Sequence, residues 1–90
     1  MATIKRSVME TLVQEAAEQV FEGNSLAAFN EDDAMYLRNI VIGYLRLVAY
    51  RGRSPLAQVS RLRRVVTAFL PDNVTANTKT AAAAAIAPPL

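Results

Sequence analysis

The constraint that any fold of this chain must satisfy is its central stretch, Tyr36 to Arg51, the longest and most apolar in the sequence. At 100° per residue, Tyr36, Leu37, Ile40, Val41, Tyr44, Leu45, Leu47 and Val48 fill one continuous half of a helix, a stripe wider than a surface helix needs. Met35, Ile42 and Ala49 recur every seven residues on another side, between Arg38 and Arg46. A helix that is apolar on two sides calls for two neighbours. This is therefore the expected core helix, and Met35 and Ile42 are candidate dimer or assembly contacts.

Ninety residues form one domain at most, and a domain of that size buries too little surface to be comfortably stable without staples or partners. The chain has neither Cys nor His, which removes disulfides, thiolate and imidazole metal sites, and Cys or His nucleophiles and bases. A hydrophobic content of 52% is too high for a disordered chain, so residues 1–70 are expected to fold. The formal net charge of +2 hides an asymmetry along the chain. Residues 1–37 set Lys5 and Arg6 against seven acids, whereas residues 38–70 carry seven arginines and no acid. Such a split favours antiparallel or intermolecular pairing of the halves, and it equally offers a basic surface to phosphate or to an acidic protein.

Three helices are expected, at about 7–22, 31–51 and 55–70. Ser7-Val8-Met9-Glu10 has the pattern of a capping box at the start of the first, whose inward stripe is Met9, Leu12, Val13, Ala16, Ala17 and Val20. Gly23-Asn24 suits a left-handed stop, and Ser25 to Phe29 has room for one helical turn. Asn30 followed by Glu31, Asp32 and Asp33 reads as a cap and an acidic first turn, not as a metal site, since three adjacent acids cannot all face one ion. Gly52, Ser54 and Pro55 supply a stop, a cap and a first helical residue for the third helix. Val59, Leu62, Val66 and Phe69 form its inner stripe, flanked by Leu56, Val65 and Leu70, with Arg61 and Arg64 opposite and Arg63 at one edge; Pro71 closes it.

From Asp72 the composition shifts to Asn, Thr and Ala. Alanine permits a short marginal helix from about Thr78 to Ala87, and the segment has almost nothing with which to build a core. The expected architecture is thus all-α, a small three-helix domain over 1–70 with an extended or weakly helical Ala/Pro-rich arm over 71–90. No signal or transit pattern is present, and Ile40 to Leu45, the longest uncharged apolar run, is far short of the roughly 20 residues that cross a bilayer. A soluble protein, complete from Met1, is the expectation.

No pair of positioned titratable groups stands at a motif spacing, so the chain is read as non-enzymatic, with no cofactor and no metal. Tyr36, Tyr44 and Tyr50 belong to core or interface, because a phenol is a poor proton donor without special tuning. Arg53, Arg61 and Arg64, near a helix start, are candidate phosphate or RNA contacts, although the third helix offers few base-reading side chains beyond Gln58 and Ser60.

Met35 to Leu45 resembles the opening of a GRIP domain, in which a Tyr, an apolar residue, a basic residue and Asn or Lys precede apolar residues ending in an aromatic-Leu pair. Leu62 to Asn73 is similar to that family's second block, an apolar helix finishing before a short Pro-acidic segment. The resemblance implies a homodimer of short helices that binds a GTP-loaded Arf-like GTPase at the Golgi membrane surface. Tyr36 would then enter the switch region of the GTPase, with Leu37 and Ile40 beside it, and Val65, Val66 and Phe69 would help build the dimer. The alternative, equally compatible with the two-sided central helix, is a small structural subunit of a large assembly such as a virion or organellar complex, anchored by its C-terminal arm.

Overall fold

The computed structural model describes residues 6–22, 31–68 and 76–88. Among them the chain is all-α, with four helices and no strand: α1 (Arg6–Phe21), α2 (Glu31–Tyr50), α3 (Val59–Ala68) and α4 (Ala76–Ile86), and a 3-10 turn at Leu56–Gln58 that leads into α3. The stops expected at Gly23-Asn24 and Pro71, the turn at 25–29, the cap Asn30 and the interface candidate Phe69 lie outside the described residues.

The helix ends follow from local chemistry. At the end of α2, Gly52 takes a left-handed φ of 77°, the Gly52 N–H donates to the Ala49 carbonyl at 3.0 Å and the Arg53 N–H to the Val48 carbonyl at 3.0 Å. These crossed bonds make a Schellman stop, and an L side chain at position 52 would be strained in it. Pro55 is itself in the right-handed helical region, with φ −59° and ψ −38°, and Gln58 donates to its carbonyl at 3.0 Å. The turn thus begins at Leu56, with Pro55 in the capping position expected for Ser54 and no side-chain cap bond, and it is wound tighter than an α-helix. The expected capping box does not hold: Arg6 and Ser7 already lie within α1, and Glu10 forms a salt bridge to Arg46 of α2. The Ser7 carbonyl instead accepts from the Thr11 hydroxyl at 2.9 Å.

Helix α1 packs against α2 and α3, and α4 packs against α2 and α3. Around the core the order is therefore α1, α2, α4, α3, with α2 and α3 on the diagonal. The core contains Val13, Ala16, Ala17 and Val20 of α1, Leu37, Val41, Tyr44, Leu45 and Val48 of α2, Val59, Leu62 and Val66 of α3, and Ala82 and Ile86 of α4. Met9 and Leu12, expected on the inward stripe of α1, are half-buried, and Leu56 is exposed.

The C-terminal segment departs most from expectation. The marginal helix forms, but it is packed against the other helices, with Ile86 fully buried and Ala82 2% exposed. One isoleucine and one alanine four residues apart suffice, because alanines let the helix axis come close to its neighbours while Ile86 fills the remaining space. Ile86→Ala is expected to destabilise the whole domain by about 2–5 kcal/mol, the range for emptying a buried aliphatic site. Urea unfolding followed by circular dichroism measures it; a loss confined to α4, with the remaining transition unmoved, would mean that α4 is not part of the cooperative unit.

Candidate interaction surface

Three of the seven arginines of the basic half, Arg46, Arg61 and Arg63, are used within the fold. Arg46 meets Glu10 through a fork, Nε to Oε1 at 3.0 Å, Nε to Oε2 at 3.3 Å and Nη2 to Oε2 at 3.1 Å, and so ties α2 to α1. The guanidinium holds the Glu10 carboxyl below its ordinary value, chiefly through that hydrogen bond, and the carboxylate raises Arg46 in turn. Both side chains keep contact with solvent, 52% exposed for Arg46 and 35% for Glu10, so the bridge orients the two helices more than it stabilises them.

Arg61, expected opposite the core stripe, is half-buried. Its Nη1 donates to the Ala85 carbonyl at 3.0 Å and its Nη2 to the Ile86 carbonyl at 3.0 Å, while its Cζ lies 5.2 Å from the centroid of the Tyr44 ring. One side chain of α3 thereby caps the last turn of α4 and stacks on α2. Arg63 does the equivalent for α1, donating from Nη1 to the Gln19 carbonyl at 2.7 Å. Positive charge at a helix C-terminus also opposes the negative end of the helix dipole. Of the three candidate phosphate contacts, Arg53 and Arg64 are exposed and Arg61 is engaged with α4.

The partner-binding trio separates: Leu37 is in the core at 2% exposure, Ile40 is half-buried, and Tyr36 is 41% exposed. Among the assembly candidates, Met35 is exposed, Ile42 and Val65 are half-buried against the core, and Val66 is in it. The apolar side chains that do reach solvent together are Tyr36, Leu47 at 42% and Tyr50 at 82% exposure. With Gly43 and the half-buried Ile40, which packs against the core, they fall at spacings of 4, 3, 4 and 3 residues along α2, an a/d pattern along one flank of the helix. Periodicity alone puts Tyr36 and Leu47 in the wide core stripe, Tyr36 and Tyr50 are also core or interface candidates, and the 4-3-4-3 spacing is the signal that groups the three.

The clefts of the molecule lie elsewhere and are open. One, of about 550 Å³, is lined by Glu15, Ala17, Glu18, Gln19, Phe21, Glu22 and Arg38; it runs along the acidic face of α1. Among the described residues no group of three or more carboxylates is placed to hold a metal ion, and no helix is long and apolar enough to cross a membrane.

Arg61→Ala leaves two carbonyls without their charged donor and is expected to cost about 2 kcal/mol of stability, while Arg61→Lys, lacking the fork, recovers only part. Equilibrium unfolding of the two variants tests this; equal stability of Arg61→Ala and the parent would show that water satisfies both carbonyls. Because the Glu10 carboxyl is held below its ordinary value, the bridge's small contribution is complete above the ordinary carboxylate range and is lost as pH falls through the lowered folded value. A pH titration of the Glu10 side chain by NMR should show its midpoint moving up in Arg46→Gln; an unmoved midpoint would mean the fork does not persist in solution. Comparison with protein-family models, with curated proteins and with solved structures returned no match to this chain, so its surface is read from its own residues alone.

Proposed function

We propose that this chain is a non-enzymatic helical interaction module that binds a protein helix along the outer face of α2. The observation that carries the reading is the seam of exposed Tyr36, Gly43, Leu47 and Tyr50 with half-buried Ile40 between them. It is regular in spacing and runs almost the whole length of α2. Helix-in-groove and helix-on-helix recognition read partners through anchors at such intervals. The GRIP-type role assigned to Tyr36 uses one end of this face, and Ile40 stands next to it. The face continues beyond Ile40 to Leu47 and Tyr50, which suits a partner helix lying along α2 better than a pocket that takes up a single tyrosine.

Leu47 is the position to test, because it is central in the seam and already exposed, so a charge there spoils docking without entering the core. Immobilised parent chain, Leu47→Glu and a control with the same charge change on exposed α3, Ser60→Glu, are incubated with lysate of the source organism. Proteins held by the parent and by Ser60→Glu should fall roughly tenfold on Leu47→Glu, about 1.4 kcal/mol of binding. Equal recovery on all three would overturn the assignment of this face.

A further inference from the structure

We infer that the occupant of the α2 seam is a second copy of this chain, packed antiparallel so that the two α2 helices cross at Gly43; this rests on the seam being a docking face. Three independent observations point there. The first is symmetry. Tyr36 and Tyr50 each lie seven residues from Gly43, and Ile40 and Leu47 lie three and four residues from it. Reversing the helix about Gly43 exchanges Tyr36 with Tyr50 and brings Ile40 to within one residue of Leu47, so the seam matches itself to within one residue step. A two-fold interface requires this self-complementarity, and an unrelated partner does not. The tyrosines add offset ring contacts at both ends.

The second is Gly43 itself. It sits in the interior of an exposed helical face, where glycine costs about 1 kcal/mol relative to alanine. A Cβ built there meets nothing within 4 Å, so packing within the protomer gives no reason for its absence. At the crossing point of two helices the reason is plain: without a side chain the backbones approach more closely, and the larger residues on either side interlock.

The third is charge. Asp32 is exposed before the seam begins, and Arg51 and Arg53 are exposed just after it ends. In an antiparallel pair Asp32 of each copy comes beside the Arg51–Arg53 segment of the other. A parallel pair would set Asp32 against Asp32 and arginine against arginine, so the charges select the direction as well as the partner. The macrodipoles of the two α2 helices also oppose favourably only in the antiparallel arrangement.

Sedimentation equilibrium of the purified chain over a concentration series tests the occupant. The parent is expected to dimerise and Leu47→Glu to remain monomeric with its helical circular dichroism intact. Gly43→Ala is expected to raise the thermal midpoint measured at dilutions where the protein is monomeric, and to weaken dimerisation roughly tenfold; a merely helix-destabilising glycine would give the first effect without the second. Because the chain has no cysteine, direction is read by mixing Tyr36→Cys with Tyr50→Cys under mild oxidation. A 36–50 disulfide forming in preference to 36–36 and 50–50 supports the antiparallel pair, and preference for the like pairs overturns it. A parent chain that stays monomeric up to about 1 mM, the weak end of specific association, overturns the second copy as occupant. If proteins from the lysate are then still lost on Leu47→Glu, the face docks a different helix; if none are, the docking assignment fails with the dimer.

Discussion

The fold depends on the guanidinium of Arg61. Helices α2 and α3 lie across the core from each other, and α4 must be held in the space between them with one large apolar side chain, Ile86. Arg61 reaches from α3, stacks on Tyr44 of α2, and donates one hydrogen bond to each of the last two carbonyls of α4. A lysine provides a point charge in such a position, whereas a planar fork provides two directed donors and a face that can stack. Arg63, two residues on, fixes the end of α1 through Gln19. Two helices that differ in sequence and length are therefore tied to α3 at their C-termini by the same device, a cation set against carbonyls of the last turn.

Such a frame explains why the strong division of charge along the chain leaves so modest a basic surface. Arg46, Arg61 and Arg63 act within the fold, on an acidic side chain and on two helix ends. Arg38, Arg51, Arg53 and Arg64 remain on the outside. Burial of apolar surface is incomplete in a matching way. The central helix has more apolar circumference than its neighbours within the protomer cover, and the surplus is gathered into one seam of alternating three- and four-residue steps. In a domain with so small a core, the association proposed along this seam would add to the apolar surface that is buried.

Much of the fold was legible in the sequence because periodicity and helix stops are local. Val13, Ala16 and Val20 on α1, Leu37, Val41, Leu45 and Val48 on α2, and Val59, Leu62 and Val66 on α3 are where three- and four-residue spacing puts them, and Gly52 ends α2 as glycine's freedom at positive φ allows. What was not legible depended on neighbours. Tyr36 and Leu47 stand at the edge of a stripe wider than one contact, and whether an edge residue turns in or out is decided by the angle at which α1 and α4 approach. Arg61 and Glu10 looked like surface charge and a cap because their partners, the carbonyls of α4 and Arg46, are distant in sequence. The alanine segment looked unable to build a core because it was judged alone, and not as a filler between helices already in place.

That alanine segment has a consequence for alignment along the helix axis. Ala81 to Ala85 present nearly the same small surface at every position, so a screw displacement of α4 by one residue, about 1.5 Å along its axis, puts another alanine at the place of Ala82 and meets little resistance from packing there. Its last turn distinguishes one position from the next: the Ile86 side chain has one place to go, and Arg61 has one pair of carbonyls to meet. The register of the helix is thus set at a single end, like a smooth rod held by one notch, and the remaining turns follow from where that end is fixed.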